Sequence, residues 1–102
     1  MRTIKFKVNQ QRIRNVDSVA FVYSGTHNYL NLEFIFGPDW DGCNKVISFG
    51  AEKTLKVMNI ENNCCLVPQE AFDKNVLSFY LLGGRQDGYR IRTEKFEIDL
   101  KG

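Results

Sequence analysis

Two carboxylates flank the chain's only tryptophan, as Asp39-Trp40-Asp41. That spacing suits two chemistries. An indole face can stack on a sugar ring while acids hydrogen-bond its hydroxyls, and close carboxylates can hold Ca²⁺. A calcium loop supplies several further oxygen ligands at short intervals, and this segment does not. The alternative is structural: Asp caps backbone amides in a turn and Trp plugs one end of a fold. We read the segment in that structural sense.

Other reactive residues are sparse. The one histidine, His27, lies in a Gly/Asn turn; a general base needs a nucleophile and an orienting acid, and no G-x-S-x-G elbow occurs in the chain. Cys43, Cys64 and Cys65 with His27 are zinc-ligand types, yet no C-x-x-C spacing joins them. Cys64 and Cys65 are adjacent and too strained to bridge each other; Cys43 could reach either one, but without a secretory signal free buried thiols in a reducing compartment are expected. Gly83, Gly84 and Gly88 superficially suggest a phosphate cradle, but their spacing fits neither the dinucleotide nor the P-loop pattern; a hairpin loop is expected. Arg12, Arg14, Arg85, Arg90 and Arg92 would gather near one end if the first loops and the last hairpin are neighbours, and Tyr89 beside them would suit single-stranded nucleic acid. Acids lie close to each arginine in sequence, so a solvated face is the expectation. No catalysis, no metal and no cofactor is expected.

Composition bounds the frame that must position these groups. The chain has 102 residues, 43% hydrophobic and 25% charged, ordinary for a globular protein and too apolar for disorder. One domain over residues 1–102 is expected. Fourteen basic and twelve acidic residues leave +2, which gives no electrostatic footprint for nucleic acid or a membrane surface. Apolar runs are far shorter than the roughly 20 residues of a membrane span. The N-terminus alternates charged and apolar residues where a secretory signal needs a continuous apolar run, so synthesis in the cytoplasm is expected.

Period 2 dominates the pattern. Ile4, Phe6 and Val8 share one face; Leu30, Leu32, Phe34 and Phe36 share another; Val76–Leu82 is apolar on both faces. Gly37-Pro38 and Asp41-Gly42 punctuate the chain, and residues 68–73 hold the one expected helical turn, with Pro68 at its start. Tyr89 and Ile91 are odd-numbered while Phe96, Ile98 and Leu100 are even, which places a bulge near Thr93–Lys95. Seven or eight short strands at this spacing signal an all-β sandwich or barrel, and we take an antiparallel, immunoglobulin-like β-sandwich as the expected form.

One stretch is more specific. Leu30–Phe49 reads LNLEFIFGPDWDGCNKVISF, followed by Cys65, Val67-Pro68 and Glu70. The run Phe34, Phe36, Asp39, Trp40, Asp41, Gly42, Lys45 and Phe49, then Pro68 and Glu70, resembles the N-terminal β-sandwich domain of the phage and prophage baseplate upper protein family of Gram-positive bacteria. The likeness extends from about Leu30 to the C-terminus. Gln69 stands where the family has an aromatic residue, and Phe72 where it has an aliphatic one.

The resemblance implies a virion component of baseplate, tail or capsid that acts by protein–protein contact and forms homo-oligomers, with neither nucleic acid nor membrane as partner. Val22, Ile35 and Tyr80 are the expected contact surface. Two alternatives belong to other classes. One is a carbohydrate-binding module stacking glycan on Trp40, Tyr29 or Tyr89; the other is a small phage-encoded inhibitor of a host defence enzyme.

Overall fold

A computed structural model of the chain describes residues 1–16, 22–23, 28–50, 56–72 and 76–101. Turn signals divide them into ten strands: β1 (Arg2–Asn9), β2 (Arg12–Asn15), β3 (Val22–Tyr23), β4 (Leu30–Phe36), β5 (Asn44–Phe49), β6 (Lys56–Asn59), β7 (Cys64–Leu66), β8 (Val76–Gly84), β9 (Arg90–Arg92) and β10 (Phe96–Lys101). Single 3-10 turns occupy Pro38–Trp40 and Gln69–Ala71. One sheet has the order β2-β1-β4-β7, the other β3-β10-β8-β5-β6 with β9 also on β8. The fold is all-β and sandwich-like, as the alternation predicts. His27 lies outside the described residues, as do Val19 and Phe21, whose alternation with Tyr23 predicts a strand covered on both faces.

Alternation fixes which side chains meet between the layers. Ile4, Phe6 and Val8 of β1 and Leu30, Leu32 and Phe34 of β4 face Leu77, Phe79 and Leu81 of β8 and Ile47 and Phe49 of β5, all fully or almost fully buried. Aromatic rings stitch the layers together: Phe6 meets Phe79 at 5.5 Å and Phe96 at 5.1 Å, edge to face, and Phe34 meets Phe79 at 6.1 Å. Such pairs contribute about 0.5–1.5 kcal/mol each beyond their buried area.

Two pairings are parallel, contrary to a wholly antiparallel sandwich. β1 lies beside β4 in register from Arg2↔Leu30 to Val8↔Phe36, and β3 lies beside β10. The β1–β2 hairpin carries the chain back only as far as Phe6, and β3 in the other sheet intervenes before β4 begins beside Arg2. Strand number also exceeds the expectation, because β9 and β10 are separate pieces of one run and Arg12–Asn15 forms a strand of its own on β1. Between the pairs Leu82↔Arg92 and Phe79↔Phe96, β8 advances three residues while its partner advances four. The extra residue is a bulge. Buried Thr93 fills it: its Oγ1 accepts from the Leu81 N–H at 2.9 Å and donates to the Glu94 carbonyl at 2.8 Å.

The expected contact surface needs one correction. Val22 is only 3% exposed, because the parallel pairing of β3 with Leu100 of β10 turns it into the core. Ile35 points outward and is 49% exposed. Tyr80 is half-buried on the outer face of β8, beneath the Arg92 guanidinium at 4.3 Å.

Candidate functional site

The Phe36–Phe49 stretch turns a strand end into a seat for one indole. Gly37 N–H donates to the Val8 carbonyl as β4 ends, and the turn Pro38–Trp40 closes with Trp40 N–H on the Gly37 carbonyl. Trp40 is fully buried, its ring 5.2 Å from Phe36, and its Nε1–H donates to the Gln10 carbonyl at 2.8 Å. The indole has a polar partner inside and no face open to a sugar. Gly42 then takes φ +73°, the left-handed conformation the turn into β5 requires.

The flanking acids are held by their backbone. Tyr89 Oη donates to the Asp39 carbonyl at 2.8 Å, and Arg85 Nη1 to the Asp41 carbonyl at 3.4 Å. Both carboxylate-bearing residues are exposed. Lys45 Nζ reaches the Cys43 carbonyl at 3.3 Å and sits 5.0 Å above the Phe36 ring, so Phe36 is half-buried where Phe34 is sealed. Phe49 is buried against Phe79 at 6.2 Å. Pro68 precedes the turn Gln69–Ala71, where Glu70 is exposed in the first position of charge. Phe36, Asp39, Asp41 and Gly42 thus surround Trp40 along the chain, Phe34 and Phe49 join the core rings at Phe79, and Pro68 and Glu70 belong to a separate turn.

Gly83 and Gly84 are strand residues of β8, whereas the sequence reading put them in a loop; the loop is Arg85–Tyr89. Packing gives the reason. A Cβ on Gly83 would stand 2.9 Å from two ring carbons of Trp40 and 3.0 Å from Ile91 Cγ2. Glycine inside a strand is a recognised sign of close approach, and here the close neighbour is the Trp40 ring.

Four of the five arginines expected to gather, Arg12, Arg14, Arg90 and Arg92, line grooves at one junction of the fold. Glu94 N–H donates to the Gln11 carbonyl at 2.9 Å, which fastens the first hairpin turn against the β9–β10 break. Two grooves flank this junction and share Gln10. One, of 810 Å³, is lined by residues including Asp39, Asn44, Arg90 and Arg92; the other, of 580 Å³, by Lys7, Arg12, Arg14 and Glu94 among others. Arg85 stays outside them, stacked 4.0 Å over the Tyr89 ring and 3.7 Å from the Asp87 carboxylate.

The thiols do not converge. Cys43 and Cys65 are buried, Cys64 is half-buried, and all three are free. Burial, and secondarily the neighbouring Cys64, push the Cys65 thiol up to about 11 from 9.0, which makes it a poor nucleophile. Among the described residues no three His, Cys, Asp or Glu side chains cluster to hold a metal ion, and no helix is long and apolar enough to cross a membrane. No protein-family model matches the sequence, and no curated protein matches it.

Proposed function

We propose that this chain is a non-catalytic contact module of a phage or prophage particle, a baseplate, tail or capsid-associated component that docks on other virion proteins and on copies of itself. The observation that carries the reading is the placement of the D-W-D-G motif. Its tryptophan is spent on closing the sandwich and its acids are tied by their backbone carbonyls. A motif used in this way serves a rigid scaffold whose outer surface is left for contacts. Ile35, 49% exposed, and the half-buried Tyr80 are candidate contacts on the two outer faces.

A glycan platform is less well supported, since Trp40 is sealed and Tyr89 has Arg85 across one face. Mass spectrometry of purified particles, with the gene intact and deleted, tests the virion reading. The expected result is the protein in particles at a fixed copy number. A soluble monomer that never joins particles would overturn it in favour of the inhibitor reading.

A further inference from the structure

From the two grooves that meet at Gln10, we infer a docking site for an acidic polypeptide segment of a partner protein. The inference deepens the contact-module reading and rests on it. Lys7, Arg12, Arg14, Arg90 and Arg92 line the grooves against two carboxylates, Asp39 and Glu94. That local excess of three positive charges is larger than the +2 of the whole chain.

Among the described residues no carboxylate pairs with these cations, although Arg90 Nη1 donates to the Arg85 and Tyr89 carbonyls. All five residues are exposed. Among the described residues the ion pairs within 4.0 Å are Lys5–Glu33 and Arg85–Asp87, and neither involves them. Lys7 and Arg14 stand directly opposite each other in the β1–β2 register, where like charges repel. A fold that holds such repulsion together gains when an anion enters.

Peptide is favoured over nucleic acid by what surrounds the charges. A single strand needs free aromatic faces for its bases, but Tyr89 is covered on one side by Arg85, Tyr80 by Arg92, and Trp40 is sealed. The carboxylates of Asp39 and Glu94 would repel phosphates. The amides of Gln10, Gln11 and Asn44 in the same walls match the donors and acceptors of a peptide backbone.

The test is fluorescence anisotropy with the full chain and a labelled Glu-Gly repeat peptide of about ten residues. Extended, that peptide spans roughly 33 Å, within the molecule's longest extent of 43 Å. A single-stranded oligonucleotide of equal charge is the comparator. Binding is expected at low salt, weakening at about 0.15 M as charge pairing is screened. Arg12→Glu with Arg14→Glu should weaken it about tenfold or more, and Arg90→Gln less. Lys56→Glu with Lys95→Glu changes the net charge equally outside the grooves and should leave binding within about twofold. The substituted residues are exposed, and unchanged Trp40 emission checks each fold. Tighter binding of the oligonucleotide, equal losses in the control pair, or no peptide binding at low salt would each overturn the site. Particle incorporation without peptide binding would sink this site alone; peptide binding without incorporation would sink the virion reading alone.

Discussion

Replacing Gly83 with alanine probes the seat of Trp40 more sharply than replacing the tryptophan itself. Two effects oppose each other. Alanine narrows the unfolded ensemble and by itself stabilises by about 0.4–1 kcal/mol. Gly83 shows no left-handed φ, so backbone strain does not enter. Against that gain, the new Cβ would lie 2.9 Å from two ring carbons of Trp40 and 3.0 Å from Ile91 Cγ2. The ring cannot retreat freely, because Nε1 is bonded to the Gln10 carbonyl and Phe36 packs on the indole. Overpacking of this kind costs about 1–3 kcal/mol. The clash wins, with a net loss of about 1–2 kcal/mol. Urea unfolding should show a lower midpoint at unchanged slope, and Tm should fall by roughly 5–15 °C. Gly84→Ala is the control. The three atoms nearest its Cβ belong to the Arg90 side chain at 3.2–3.4 Å; moving that exposed side chain gives up only its bonds to the Arg85 and Tyr89 carbonyls, so the loss should be smaller than for Gly83→Ala, within about 1 kcal/mol. Trp40→Leu makes room, so the double variant with Gly83→Ala should be less destabilised than the sum of the two, by about 0.5–3 kcal/mol. A Gly83→Ala protein as stable as the parent would refute the packing argument.

Thr93→Val removes the acceptor for the Leu81 N–H at the bulge; a buried donor left unsatisfied costs about 1–3 kcal/mol, and amide exchange at Leu81 should accelerate before that of its β8 neighbours. Asp39→Asn with Asp41→Asn keeps every backbone bond of the motif, so thermal stability should change by less than about 0.5 kcal/mol. Trp40 emission should be blue-shifted and insensitive to acrylamide and to cell-wall glycans, because the indole is fully buried; quenching by glycan would revive the carbohydrate reading. For Cys65 the folded pKa lies above the unfolded value, so the folded state holds its proton longer. Its contribution to stability is therefore complete below pH 9.0 and is lost as pH rises toward about 11. Thiol titration of the native protein at pH 8 should accordingly modify half-buried Cys64 before Cys65.

The strands most legible in the sequence are those whose two faces differ most. β1 and β4 alternate cleanly, and every apolar residue at an inward position from Ile4 to Phe34 is buried. The bulge was legible too, since one inserted residue shifts the phase of the whole run from odd to even. Partner choice was not. Alternation says which residues share a face but carries no information on neighbour or direction, so the parallel β1–β4 pair could not be read from it. Val22 shows the same limit: a strand apolar on both faces does not reveal which side meets the other sheet. Gly83 and Gly84 read as a loop because glycine weakens local strand propensity; the contact that keeps Gly83 in β8 comes from Trp40, 43 positions away. The basic end was visible only conditionally, because Arg12 and Arg90 are far apart in sequence and only the fold brings the first hairpin to the last.

Frame and surface are separable in this molecule because backbone carbonyls do the fastening. The Gln10 carbonyl holds the indole, the Gln11 carbonyl holds Glu94, and the Asp39 and Asp41 carbonyls hold Tyr89 and Arg85. Carbonyls are present whatever side chain stands there, so residues 11, 39 and 41 can change their side chains without loosening the sandwich, while position 10, left-handed at φ 56°, disfavours β-branched side chains. All four side chains are exposed, and those of Gln10, Gln11 and Asp39 line the larger groove. The walls of the groove are thus free to be shaped by a partner while Trp40, Gly83 and Thr93 keep the walls where they are. The arrangement suits a module that keeps one scaffold and varies what docks on it.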